Sequence, residues 1–380
     1  MASARLNAQS FDAPKGIRVS LLTCGVGHEI YSVFGHSAVR IIDSAAGSDI
    51  VYNYGTFDGY EKDFEIKFMR GKLLYYLSAD RYDDFISLYS TGGRWVDEQV
   101  LLIPDAAKRD IQHYLLENLL PENRAYKYDF FFDNCATRIR DIFTQTHGAA
   151  FVYPKVLPKA YTPSFRDIIN QYLAHNPWER LGINILLGSK IDRKMSNTEI
   201  MFLPDFLEAA VAAAHLNGQT YVQPARRIIQ EQASIVSNDV SIWLVLYGLV
   251  LLMLLGLLVS RLSIVADMIG NFMLVLTGLL GVLILIMWFA TDHQTCAQNF
   301  NLLWALPTNL LFLFRKKQYK YALVAIVFLL LSFVLHLLHV QCLLLPEMIP
   351  VFLLLLITYA RIYRKYATEL TIHAKNRITP

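Results

Sequence analysis

At 380 residues the chain has room for about two domains. An apolar fraction of 54% is too high for an ordinary soluble enzyme, so part of the chain belongs in a membrane. A formal net charge of only +3, with no basic run interleaved with aromatics on one face, excludes a nucleic-acid groove.

From the N-terminal side, IRVSLLTCG (17–25) has strand composition and stops at glycine. Its Cys24 reads as a small buried hydrophobe. GHEIYSVFGH (27–36) follows as a loop with a helical turn and delivers His36 to the start of HSAVRIID, a strand rich in β-branched residues. SAAGS (44–48) has turn chemistry and DIVYNYG (49–55) is the returning strand, so His36 begins a β-hairpin. Residues 60–92 are mixed and aromatic, with KLLYYLS as a strand and DRYDDFISLYS as a helix. WVDEQVLLIP (95–104) alternates like a strand. DAAKRDIQHYLLENLL (105–120) is an amphipathic helix with Asp105 as its cap and Pro121 as its stop.

The next stretch is YDFFFDNCATRIRD (128–141). Asp133 or Asn134 caps a helix on which Cys135, Ile139, Ile142 and Phe143 share one face. Cys135 then sits in the first turn, where free N–H groups and the positive end of the helix dipole favour thiolate over thiol. An inert buried cysteine fits the same spacing, so position alone leaves both readings open. A nucleophile also needs an imidazole to take its proton and a third polar group to orient that imidazole. His36, at its strand start, is the candidate base; His28, His113, His147, His175 and His215 have plainer settings in loops and later segments. Asn53 is the candidate third member, although a one-residue change of register would put Tyr52 or Tyr54 on the His36 face instead. The Cys135 N–H, helped by Asn134 or Ser32, can form an oxyanion hole, and both side chains equally fit capping and loop hydrogen bonds. Asp133, Tyr54 and Arg138 complete the candidate oxyanion or substrate-binding set.

From about 236 the composition changes. SIWLVLYGLVLLMLLGLLVS (241–260) is a charge-free run long enough for a hydrocarbon core of about 30 Å. Four further spans are expected at 268–290, 299–314, 321–340 and 343–363. The third is short and contains Pro307, so it is kinked or re-entrant. Arg261, RKKQYK (315–320) and RIYRK (361–365) lie on one side, whereas TDHQTCAQ (291–298) and VQCLLLPE (340–347) hold no Lys or Arg. The positive-inside rule then places the C-terminus in the cytoplasm and the domain before the first span outside, on the periplasmic face of a bacterial inner membrane. A leader should precede that domain, yet MASARLNAQSFDAPKG has no apolar core; either a leader has been lost or the first span carries the domain across.

On this topology Cys296 and Cys342 fall in two outside loops, where a disulfide is expected. His336 and His339 near the outer end of the fourth span are unusual for a membrane segment. No Cys, Asp or Glu stands near to complete a metal site, so no metal is expected.

The strings IYSVFGHSAVRI, VYNYGTFD, GKLLYYLS and YDFFFDNCATRIRD, in this order, resemble the N-terminal periplasmic domain of the bacterial membrane proteins called Lnb, once catalogued only as a domain of unknown function. The resemblance runs over roughly 17–215; the tail matches in architecture rather than motif. It implies an α+β permuted papain-like fold, related to the NlpC/P60 hydrolases and to lecithin:retinol acyltransferase, in which a strand histidine precedes the helix cysteine. The order His36, Asn53, Cys135 agrees. The expected organisation is a periplasmic domain at 1–235, an all-α bundle of about five transmembrane helices at 236–366 and a cytoplasmic tail at 367–380. Lnb proteins are implicated as lipoprotein N-acyltransferases, which implies a phospholipid acyl donor, a diacylated lipoprotein acceptor, a Cys135 thioester, contact with bilayer lipid and no cofactor. In that setting Phe130, Phe131 and Phe132 line an acyl-chain entrance or form a buried strand. Arg138 and Arg140 meet a lipid phosphate or stand as exposed helix charges. A membrane-anchored cysteine amidase or peptidase acting on cell-wall peptides would use the same His36 and Cys135, and is the alternative. In a non-enzymatic escort of exported proteins the cysteine would be inert.

Overall fold

The computed structural model describes residues 16–27, 29, 32–231, 241–312 and 318–375. The leader question at 1–15, His28, the basic residues Arg315, Lys316 and Lys317 and the tail end at 376–380 lie outside the described residues. In chain order the elements are β1 (Ile17–Cys24), β2 (His36–Asp43), β3 (Ser48–Thr56), α1 (Phe64–Met69), β4 (Leu74–Arg81), α2 (Tyr82–Thr91), β5 (Val96–Val100), α3 (Asp105–Leu119), β6 (Ala125–Lys127) and α4 (Cys135–His147). They continue with β7 (Phe151–Val152), α5 (Phe165–Tyr172), α6 (Pro177–Leu186), α7 (Asn197–Ile200), α8 (Pro204–Ala212), β8 (His215–Leu216), β9 (Gln219–Thr220) and β10 (Arg226–Ile229). The last five are α9 (Ile242–Leu258), α10 (Ser263–Phe289), α11 (Asn309–Phe312), α12 (Gln318–Leu337) and α13 (Leu345–Lys375). The chain divides into two compact units: Met1–Phe64 with Leu73–Lys159 and Ser196–Ile235, and Glu65–Lys72 with Ala160–Met195 and Val236–Pro380.

The first unit is mixed α/β. Seven antiparallel strands lie in the order β10-β5-β1-β2-β3-β4-β6. Alternation sorts their side chains into two apolar layers. Val19, Leu21, Val39, Ile41, Tyr52 and Tyr54 pack with Ile111 and Leu115 of α3, the inner face of α4 and Leu207 and Val211 of α8. Leu22, Cys24, Ala38, Val51 and Val96 pack on the other face against Phe85 and Tyr89 of α2.

Three local expectations change. Asp80 and Arg81 extend β4 instead of opening α2, because Asp80 pairs with Val51 across the sheet. Asp105 is the first residue of α3 rather than its cap; Pro104 holds the cap position without a side-chain bond. Phe130–Phe132 form not a buried strand but a turn closed by the Asp129–Asp133 bridge, with Asp129 Oδ1 accepting from the N–H groups of Phe131 and Phe132.

In the second unit α10, α12 and α13 carry the three stretches among the described residues, Ser260–Phe289, Tyr319–Leu337 and Leu345–Lys365, that are long and apolar enough to cross a membrane. Ile242–Leu258 is apolar but shorter. The expected third span is not one helix: a 3-10 turn at Phe300–Leu303 is followed by Pro307 and the single turn of α11. Proline has no N–H to continue a helix, and asparagine side chains tie this broken segment to the rest of the unit. Asn299 Nδ2 donates to the Ile185 and Leu186 carbonyls and Asn301 Nδ2 to those of Asn184 and Ile185. Asn309 donates to Thr277 Oγ1 and accepts from the Tyr321 and Tyr359 hydroxyls. In the same unit the buried Arg166 guanidinium pairs with Asp192 and donates to the Leu187 and Gly188 carbonyls.

Candidate active site

Asn134 fixes where α4 begins. Its Oδ1 accepts from the Thr137 N–H at 2.9 Å and Thr137 Oγ1 accepts from the Asn134 N–H at 2.8 Å, a reciprocal cap that satisfies two donors. Asn134 Nδ2 donates to the carbonyls of Phe130 and Phe202, each at 2.8 Å. The amide is therefore committed to holding the turn, and Cys135 becomes the first helical residue, buried with Ile139, Ile142 and Phe143 along the inner face. Its own N–H has no intrahelical acceptor, as for every first-turn residue.

His36 is placed by the residue before it. Gly35 has φ of +76°, and a Cβ there would lie 2.8 Å from the Cys24 carbonyl oxygen, so only glycine fits this turn. Strand register then selects the partner. Arg40 pairs with Val51 across β2 and β3, and even separations put His36 on the Arg40 face and Asn53 on the Val51 face, so Asn53 rather than Tyr52 or Tyr54 faces the imidazole. His36 Nε2 lies 3.1 Å from Asn53 Oδ1.

A residue outside the sequence-based set fixes the polarity of that contact. Asn53 Nδ2 donates to Asp80 Oδ2 at 2.8 Å, and Ser78 Oγ donates to the same oxygen at 3.0 Å. A carboxylate only accepts, so the amide nitrogen must face Asp80 and the amide oxygen His36. An amide oxygen only accepts, so His36 Nε2 carries a proton and Nδ1 is left for the sulfur. His36 and Cys135 lie near enough for each to shift the ionisation of the other. Asp80 could have been found from its place two residues after Ser78 had β4 been continued into the acidic run.

Electrostatics couple the two groups. Burial opposes the thiolate of Cys135, but the His36 imidazole and the backbone N–H groups of Ser37 and Ala136 outweigh it and hold the thiol below its ordinary value. Burial likewise opposes the imidazolium of His36, and Cys135 together with the bond to Asn53 raises it above its ordinary value. Opposite shifts in contact favour a thiolate–imidazolium pair.

The remaining sequence-based residues have structural partners. Asp133 takes the Arg138 guanidinium in two bonds, at 2.6 and 2.8 Å. Arg138 also lies 3.6 Å above the Tyr126 ring and 5.6 Å from that of Tyr54, which is buried. Arg140 binds Asp141 and the Thr198 carbonyl. Ser32 Oγ donates to the Glu29 carbonyl at 2.8 Å. The Tyr126 hydroxyl, which sequence reasoning did not single out, is buried without a hydrogen-bond partner among the described residues.

Among the described residues no three His, Cys, Asp or Glu side chains gather to hold a metal ion. His336 Nδ1 accepts from the Leu343 N–H at 3.0 Å, and His339, with φ of +55°, places Nδ1 3.9 Å from Cys342 Sγ; both close the turn after α12. The expected disulfide between Cys296 and Cys342 is not formed. Cys296 is buried and the Cys342 N–H is held by Asp192 Oδ1 at 3.1 Å.

Residues 5–161 match the family model of the Lnb N-terminal periplasmic domain, and residues 230–369 match that of the Lnb transmembrane domain. No curated protein and no solved structure matches the chain.

Proposed function

Because the chain belongs to the Lnb family through both its periplasmic and its transmembrane domains, we propose that it is a lipoprotein N-acyltransferase of the bacterial inner membrane working through a Cys135 thioester. The observation that carries this reading is the His36–Cys135 pair with its opposed pKa shifts, oriented by Asn53. The order of histidine strand and cysteine helix supports a permuted papain-like site.

In the first half-reaction the Cys135 proton rests on His36 Nδ1 and the thiolate attacks the carbonyl carbon of a phospholipid ester. The tetrahedral oxyanion accepts hydrogen bonds from first-turn N–H groups of α4, Cys135 N–H among them, aided by the helix dipole. The carbon–oxygen bond breaks, the departing glyceryl oxygen takes the proton from His36, and a lysophospholipid leaves the acyl group on sulfur. In the second half-reaction the neutral α-amine of a diacylglyceryl-cysteine attacks the thioester. Its surplus proton passes to His36, the carbon–sulfur bond breaks, and an amide and the original thiolate result. A thioester suits this exchange because it resists water moderately yet yields readily to an amine. A membrane-spanning unit in the same chain keeps the enzyme where both lipid substrates reside.

The test is transfer between defined substrates. Purified full-length protein in nanodiscs, given phospholipid and a synthetic diacylglyceryl-cysteine peptide, is expected to yield the N-acylated peptide by mass spectrometry. A Cys135→Ser protein making product at the unsubstituted rate would overturn the assignment, and a Cys24→Ser protein serves as the folded control.

A further inference from the structure

Residues 65–72 make an apolar projection that neither core explains. No residue of α1 is buried, and Ile66, Phe68 and Met69 are 51%, 52% and 57% exposed. The segment is nevertheless built rather than frayed. Gly71, with φ of +66°, ends α1 with paired bonds from Gly71 N–H to the Phe68 carbonyl at 3.0 Å and from Lys72 N–H to the Lys67 carbonyl at 2.8 Å.

Its anchor is the outer end of a span. The Asp292 N–H donates to the Arg70 carbonyl at 2.9 Å and His293 Nε2 donates to that of Phe68 at 3.1 Å. A Cβ on Gly71 would lie 3.2 Å from the His293 nitrogen, so glycine is needed for approach as well as for φ. Asp292 and His293 come directly after α10, which ends in the stacked pair Trp288–Phe289. The preceding apolar helix α9 begins with a second stacked pair, Trp243 and Tyr247. Paired aromatics at span ends mark the level of lipid headgroups.

We infer that residues 65–72 are an interfacial strap that inserts Ile66, Phe68 and Met69 into the periplasmic leaflet. Lys67, Arg70 and Lys72 alternate with the apolar side chains and meet lipid phosphates, the composition of a short membrane-surface segment. The occupant of this surface is bilayer phospholipid. The inference does not depend on the thioester chemistry.

An environment-sensitive fluorescent amino acid at Phe68, with Leu88 on α2 as an exposed reference at 70%, reports the insertion in full-length protein in nanodiscs. Brominated phospholipid is expected to quench position 68 at least threefold more than position 88, and dissolved iodide to do the reverse. Equal quenching of both positions by both agents would overturn the strap, as would a position 68 shielded from iodide yet untouched by brominated lipid, which would mean a protein covers it. A phospholipid carrying a photoreactive acyl chain provides a second reading on unsubstituted protein: crosslinks on the 65–72 peptide support insertion, and their absence alongside labelled span peptides contradicts it.

Discussion

Cys24 and Cys135 both lie in the α/β unit, and Cys24 is the direct cross-strand partner of His36, while Cys135 is a hundred residues further along the chain. The sequence-near cysteine is the one whose thiol is held protonated. Burial among Leu22, Val51, Phe85 and Val96 pushes the Cys24 thiol up to about 12, and Arg94 and Tyr89 offset only part of that. Cys135 is also buried, but it meets an imidazole, two backbone N–H groups and a helix N-terminus, and its thiol falls. Burial alone therefore does not decide reactivity; what lies within hydrogen-bond reach of the sulfur does.

The sharpest break of that contrast is the base. His36→Ala is expected to lower turnover by at least ~10³-fold, within the usual range for a lost general base. Cys24→Ser should leave turnover within about twofold, as expected of a thiol that takes no part in the chemistry. Steady-state transfer kinetics measure both, and similar losses in the two variants would erase the distinction.

Alkylation sharpens it further. Peptide mapping after iodoacetamide treatment should show Cys135 modified well below the pH at which an ordinary thiol reacts, with Cys24 silent through pH 9. Turnover should fall on the acid side as the Cys135 thiolate takes a proton at its depressed pKa, and on the alkaline side as the His36 imidazolium loses its proton at its raised one. Asn53→Ala should reduce turnover by roughly 10- to 100-fold, since an orienting partner is lost while the base remains. It should also move the alkaline limb to lower pH, because the bond to Asn53 raises His36. Asp80→Ala is expected to have a smaller effect, about fivefold, with the same direction of shift, as it acts on the imidazole only through Asn53.

The smallest effect concerns placement rather than chemistry. Asn134→Ala removes the cap of α4 and unpairs two carbonyls, and should cost about 1–2 kcal/mol of stability in denaturant titration. Unchanged stability would mean that α4 is held at Cys135 by packing alone.

The β1–β3 hairpin, the cap at Asn134 and the inner face of α4 were legible because each is set by neighbours in sequence: alternation, turn residues, a three-residue capping span. Asp80 was not, since the run DRYDD carries local helix-start chemistry and only pairing with Val51 on another strand keeps it extended. The Phe130–Phe132 turn escaped for a similar reason, as aromatic composition imitates a strand while the Asp129 carboxylate closes the loop. In the membrane unit, length and hydropathy revealed the long helices. The break at Pro307 was visible, but the carbonyls at 184–186 that stabilise it were more than a hundred residues away.

The most direct measurement is capture of the acyl-enzyme. Full-length protein incubated with acyl-labelled phospholipid and no acceptor should gain one acyl mass on the peptide containing Cys135, removable by neutral hydroxylamine, with none on Cys24. Label that survives hydroxylamine, or that appears equally on a Cys135→Ser protein, would contradict a thioester at this residue.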